Sequence, residues 1–323
     1  MKVSVCIPTY NSAEYLRECI ESASSQTFKD IEIIVSDNAS TDSTCEIVRS
    51  FTDSRIRLHR LEKNMGMAFN FNHAASLAQG EYIKFLCSDD FLDPACLARQ
   101  VDMLEESPQA VMVTSPFRMV DAFGRTLRTI SRLTSRRLLS YAELVAGCLI
   151  YGNLVGSPSA VLIRRSALLR AGPFSNDLPE LLDFDLWLRL AALGPVGYLP
   201  EPLSGLRLHP RTVSIQQRKK GLNRQDVLHI TEIMLGSVAP SPLARRIAWG
   251  RVAGSFVKQA LTGLKHGYVK WPFTAFWQAF GIDPGFFGLA MFLAFFQTGI
   301  LGFESDDNRQ LRIRWGRTLC FSA

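Results

Sequence analysis

The sequence predicts an α/β fold: a mostly parallel β-sheet with helices on both faces, extended at its carboxyl end by a helical tail. Two observations predict the sheet. Short β-branched apolar runs alternate with segments of helical period through the first third of the chain, and each run ends in a polar turn. The tail is predicted by a change of composition after about residue 216, where aromatic and apolar residues crowd together.

The elements follow in order. Val3 to Ile7 is apolar throughout, as expected of a strand buried on both faces. Asn11 with Glu14 three residues on predicts a helix start, and Tyr15, Leu16, Cys19, Ile20 and Ala23 continue at helical spacing. Ile31 to Val35 is a second strand, Ser43 with Glu46 opens a second helix, and Ile56 to Leu61 is a third strand. Ala68 to Ala78 predicts a helix closed by Gly80 as a left-handed cap. Tyr82 to Leu86 is a fourth strand, and Asp93-Pro94 predicts a helix with a cap and a first-turn proline. Further on, Leu186, Trp187, Leu190 and Ala191 share one helix face and belong to the core.

Hydrophobic residues make up 47% of the 323 and charged residues 20%, which sets the chain apart from disordered proteins. A formal charge of +6 suits phosphorylated ligands or an anionic surface. With no zinc-finger spacing, aromatic RNA-binding motif or basic recognition helix, nucleic acid is the weakest partner. Seven scattered cysteines form neither a disulfide framework nor a CxxC pair, and Met1 runs straight into a strand pattern without a cleavable apolar segment. The expected location is therefore the cytoplasm, with the inner face of the cell membrane as a variant of it.

Parallel sheets bind ligands at the carboxyl ends of their strands. Three polar turns lie there: Pro8 to Asn11, Ser36 to Ser40, and Cys87 to Asp90. A carboxylate at Asp37 only accepts hydrogen bonds, so it suits a ligand edge that offers a donor.

Pro8-Thr9-Tyr10-Asn11, Val35 to Asp42, Asn64-Met65-Gly66 with Asn72, Gly80 to Asp90, Asp183-Phe184-Asp185-Leu186-Trp187-Leu188-Arg189 and Arg207-Leu208-His209 together resemble family 2 glycosyltransferases of the GT-A fold, whose sheet is Rossmann-like. The resemblance implies a metal-dependent, inverting enzyme of hexosyltransferase type. Its donor is a nucleotide-diphosphate sugar and its acceptor a saccharide or lipid-linked hydroxyl, in cell-surface polysaccharide or glycolipid synthesis. It implies a catalytic domain over 1–215, with a nucleotide-sugar half at about 1–115 and an acceptor half at about 116–215. Residues 216–323 form a helical, apolar and basic extension.

By the same resemblance the nucleotide is held by Pro8, Thr9, Tyr10, Asn11, Asp37, Asn64, Gly66, Asn72, Ser88 and Arg207. Asp37 lies where the family holds the nucleobase, and an acceptor there favours the N3–H of uracil, then thymine, with guanine as the third choice. Asp89 and His209 hold a divalent cation, Mn²⁺ or Mg²⁺, and Asp183 is the general base with Asp185 as runner-up. Two positions depart from the family pattern: Cys87 and Leu182 stand where carboxylates are usual. They keep open an alternative, a sugar-nucleotide-binding protein without catalysis.

Pro284 to Phe303 carries no charge over 20 residues, enough for a membrane span. Basic residues on both sides of 271–303 favour an interfacial helix pair over a single crossing, beside a lid or a homo-oligomer contact.

Overall fold

The computed structural model describes residues 1–175 and 181–212, a helix at Arg224–Val238, and isolated positions between 240 and 253. The stretch 271–303 lies outside the described residues, as does most of the predicted extension. The described chain falls into two compact units, one of Met1–Leu144 with Asn153–Thr212, the other of Val145–Gly152 with the segments after Val213.

The first unit holds an eight-stranded sheet. In chain order its strands are β1 (Val3–Thr9), β2 (Ile31–Asp37), β3 (Ile56–Arg60), β4 (Tyr82–Phe85), β6 (Met112–Thr114), β9 (Arg137–Leu139), β10 (Val161–Arg164) and β11 (Val196–Tyr198). Their spatial order is β3-β2-β1-β4-β10-β6-β11-β9. The pairs β1–β2, β1–β4, β2–β3 and β6–β11 are parallel, whereas β10 runs against β4 and β6, and β9 against β11. A smaller sheet, ordered β5-β12-β7-β8, consists of β5 (Phe91–Leu92), β7 (Phe117–Val120), β8 (Thr126–Ile130) and β12 (Ser204–Arg207). The mixed α/β class is as predicted; the second sheet was not foreseen.

The helices of this unit are α1 (Leu16–Ser24), α2 (Thr44–Arg49), α3 (Met67–Ser76), α4 (Cys96–Glu106), α6 (Arg165–Ala171) and α7 (Leu182–Ala191), with α5 (Tyr141–Tyr151) passing into the second unit, which carries α8 (Arg224–Val238). Leu16, Cys19, Ile20 and Ala23 form the buried face of α1 and join Val5, Ile7, Ile33, Val35 and Leu97 in one core. Burying such a side chain contributes about 1.5–3 kcal/mol. The buried helix face of Leu186, Trp187, Leu190 and Ala191 is also as expected.

Three boundaries differ from expectation, each for a local reason. Asn11 does not open α1, because its backbone turns left-handed (φ 49°) and its side chain accepts from Thr41 N at 2.8 Å. The helix starts five residues later, its first N–H groups bonded to the Ser12 carbonyl. Gly80 is not a left-handed cap; it is small because β1 passes against it. A Cβ there would stand 2.7 Å from Ser4 N and 2.8 Å from Ser4 Oγ, the atom that Gly80 N itself donates to. Finally, the Asp93 carboxylate pairs with Arg118 instead of capping a helix, so α4 begins at Cys96 and Pro94 precedes its first turn.

Candidate functional site

The turns after β1, β2 and β4 are stitched together by their own side chains. Asn11 N donates to Ser40 Oγ (2.8 Å), Ser12 N to Thr44 Oγ1 (2.9 Å), and the hydroxyls of Ser12 and Ser88 meet at 2.7 Å. Pro8, Thr9, Tyr10, Asn11, Asp37 and Ser88 therefore occupy one edge of the sheet, with Pro8 opposite Ser36 and Thr9 opposite Asp37. Pro8 and Thr9 are buried, whereas Tyr10 is exposed.

Asp37, the last residue of β2, is wholly buried. One carboxylate oxygen, Oδ2, accepts from Ser40 N (3.1 Å) and Cys45 Sγ (3.3 Å) and lies 3.4 Å from Arg60 Nε. The other, Oδ1, is enclosed without any hydrogen-bond partner. A buried carboxylate oxygen left unpaired is costly, so this atom is poised for a donor from a ligand. Burial and the hydrogen bond to Asp37 push the Cys45 thiol up to about 11, which keeps it a proton donor. Beside Asp37, Asn38 draws in the 64–66 turn: its Nδ2 donates to Asn64 Oδ1 (2.9 Å), and its Oδ1 accepts from Met65 N (2.8 Å). Asn64 Oδ1 also accepts from Gly66 N (2.9 Å), and Gly66 takes φ 87° there. Asn72 is oriented elsewhere, its amide bonded both ways to the Phe174 backbone at 2.9 Å.

The acidic turn after β4 brings together residues far apart in the chain. His209 Nε2 lies 3.1 Å from Asp89 Oδ2, while His209 Nδ1 is buried without a partner and its ring packs 4.8 Å from that of Tyr15. An imidazole nitrogen beside a carboxylate oxygen is a donor set for a hard or borderline divalent cation, whose remaining positions a diphosphate and water would fill. The residues present thus fit Mn²⁺ or Mg²⁺, although no cluster of three such ligands occurs among the described residues. Cys87 does not add a third hard ligand. Burial, then the charges of Asp90, Asp89 and Asp183, hold its thiol well above its ordinary range.

Asp90 plays a different part. Its buried carboxylate accepts from Ser159 Oγ (2.6 Å) and from Arg207 N (3.0 Å), which ties the turn to the start of β10 and to β12. Burial and the neighbouring Asp89 raise its pKa well above the ordinary carboxylate range. Arg207 is likewise turned inward. It is 2% exposed, and its guanidinium donates to Asp89 O (3.0 Å), Ala122 O (3.0 Å) and Glu18 Oε2, stacking 4.8 Å from the Tyr15 ring centroid.

Asp183 opens the first turn of α7, its Oδ1 accepting from Phe184 N at 2.7 Å. Burial outweighs this bond and lifts its carboxyl to about 6, the range suited to a general base near neutral pH. Asp185 instead pairs with Arg189 (2.7 Å), and Arg189 also holds the carbonyls of Ala171 and Pro173. Asn38, Ser159 and Glu18 are the site neighbours that sequence reasoning missed. Of the three, Asn38 alone carried a signal, as the residue after Asp37 in the same polar turn.

Residues 4–171 match the family model described as glycosyl transferase family 2. An uncharacterized protein of Mycobacterium tuberculosis is 30% identical over 253 residues, covering 74% of this chain and 77% of that one. An uncharacterized glycosyltransferase of Rickettsia conorii is 32% identical over 235 residues, covering 71% of this chain and only 37% of its own length. Among solved structures, Staphylococcus aureus TarS in complex with UDP-GlcNAc aligns with TM-score 0.60 at 18% identity, over 87% of this chain and 80% of that one. Mannosyltransferase PcManGT of Pyrobaculum calidifontis, in complex with GDP-Man and Mn²⁺, aligns with TM-score 0.55 at 18% identity, over 92% and 87%.

Proposed function

This chain belongs to glycosyl transferase family 2, and on that footing we propose that it moves a sugar with inversion from a UDP donor to a saccharide or lipid-linked hydroxyl. A dTDP donor ranks next and GDP last, because Asp37 Oδ1 accepts one N–H without rearrangement and Cys45 and Arg60 already fill Oδ2. The observation that carries the reading is the meeting of Asp89 with His209 across 120 residues of chain, at the edge that also holds Asp37.

Asp183 takes the proton from the acceptor hydroxyl as that oxygen attacks the anomeric carbon from the face opposite the diphosphate. The glycosidic bond forms as the bond to the phosphate oxygen breaks, so configuration inverts in one displacement. Asp89 and His209 would hold a divalent cation, which would neutralise charge on the departing diphosphate. Asn38, Asn64 and Gly66 fix the turn beside Asp37, and Ser88 ties the acidic turn to Ser12. Asp185 keeps to Arg189 and so orients α7, which favours Asp183 as the base. Arg207 holds the Asp89 backbone in place, whereas Asn72, bonded to the Phe174 backbone, takes no part in this reading.

Turnover of a panel of nucleotide sugars with Mn²⁺, repeated in excess chelator, tests this. UDP-sugars should turn over with the cation and stop without it. Tight binding of UDP-sugars with no turnover under any condition would instead establish the non-catalytic binding protein.

A further inference from the structure

β7 and β8 form a hairpin whose tip carries two large apolar side chains in water. Its turn is closed by Gly124 N on Asp121 O (3.1 Å), by Arg125 N on Asp121 Oδ1 (3.0 Å) and by Arg125 Nε on Asp121 Oδ2 (2.7 Å), so it is a built structure. Phe123 in this turn is 82% exposed. Leu127 is 59% exposed, and it is the residue the ladder skips: Met119 pairs with Arg128 and Val120 with Thr126, so β8 bulges there. A bulge re-aims a side chain, and here it turns a leucine outward from an edge strand.

Cations flank both. The Arg125 guanidinium lies 5.4 Å from the Phe123 ring centroid. Arg128 rests its Nε on Met119 Sδ (3.0 Å), and among the described residues no carboxylate pairs with it. From 121 to 128 the chain holds Arg125 and Arg128 against the single carboxylate of Asp121. The hairpin is also braced against the site, since Arg207 Nη1 donates to Asp121 O and Ala122 O while its Nε holds Asp89 O.

Exposed single hydrophobes are ordinary; two at a rigid tip set among guanidinium groups match the chemistry of an anionic bilayer surface. Apolar groups enter the boundary between headgroups and chains, and arginines pair with lipid phosphates. An acidic saccharide satisfies the arginines and leaves Leu127 in water. A second protein strand satisfies the β8 edge and makes no use of Phe123 in the turn. We propose that the β7–β8 hairpin seats this protein on an anionic membrane surface, through Phe123, Leu127, Arg125 and Arg128, and holds the Asp89 turn beside it. The inference concerns attachment alone and does not rest on the proposed reaction.

The test is sedimentation of the full chain with vesicles of phosphatidylglycerol and phosphatidylcholine, or of phosphatidylcholine alone, at low salt. The wild type should bind the anionic vesicles and leave the neutral ones. Phe123→Ser with Leu127→Ser should weaken that binding about tenfold, and Arg128→Glu by about tenfold or more. All three changes are at exposed positions, so the melting temperature and UDP affinity should stay at the wild-type values. The proposal is overturned if the wild type ignores anionic vesicles, or if both variants bind them as the wild type does, which would assign attachment to another segment. It is also overturned if the variants lose only heparin binding or only self-association on gel filtration.

Discussion

Asp183, the proposed base, differs from its neighbour by environment alone. Asp185, two residues on, is neutralised by Arg189, whereas burial leaves Asp183 near 6. Asp183→Asn keeps the acceptor for Phe184 N and loses basicity, so kcat should fall about 10²–10⁴-fold with donor affinity unchanged. Because the base acts deprotonated, kcat/KM for the wild type should decline as pH falls through about 6, and the variant should lack that limb. Rate measurements from acid to neutral pH check both. At the other end of the site, Asp37→Ala removes the buried oxygen offered to the base. Its affinity for UDP should drop about 10- to 100-fold with affinity for pyrophosphate unchanged; calorimetry that finds equal losses would remove Asp37 from the base pocket. Both carboxylates were legible in the sequence because each sits in a local motif. The inward turn of Arg207 was not, since Glu18 and the Ala122 carbonyl lie 189 and 85 residues away in the chain.

Among the elements, β4 carries an oddity that the motifs do not explain. Lys84 is fully buried between β1 and β10, its amine donating to Gln100 Oε1 at 2.9 Å. Burial lowers its pKa from the ordinary 10.5. The unfolded chain therefore binds the proton more readily, and wild-type stability rises with pH between the folded pKa and 10.5. Lys84→Met should be neutral or stabilising near pH 7, by up to about 2 kcal/mol, with the advantage shrinking as pH rises. Denaturant titrations at neutral and alkaline pH decide it; a constant difference would mean the amine stays protonated throughout. The strands β1 and β2 were readable because buried β-branched runs have few other uses. Strand β5 has two residues and no period, and β8 is almost wholly exposed, so neither leaves an apolar pattern to read.

At the scale of the molecule, Asp37 and its proposed base pocket belong to the large sheet, while His209 and Arg207 arrive with the small one. Gly205 sits inside the small sheet, where a Cβ on it would stand 2.1 Å from Phe91 Cζ, across the β5–β12 pair. Gly205→Val should force these strands apart at about 1–3 kcal/mol. It should raise the Mn²⁺ concentration needed for half-maximal rate several-fold, with metal-free UDP affinity little changed. Equal damage to both would mean the sheets do not divide the labour this way. The meeting of Asp89 with His209 has a further consequence for how the chain folds. The register of β1 on β2 closes a loop of 28 residues and that contact one of 120, a difference of roughly 1 kcal/mol in closure entropy. Local pairing should therefore precede the long closure, and Val5→Ala should slow refolding whereas His209→Ala should mainly hasten unfolding. A chain still emerging during synthesis would then own its nucleoside pocket well before it owns its cation ligands, and until the second sheet docks it would hold a donor it had no means to spend.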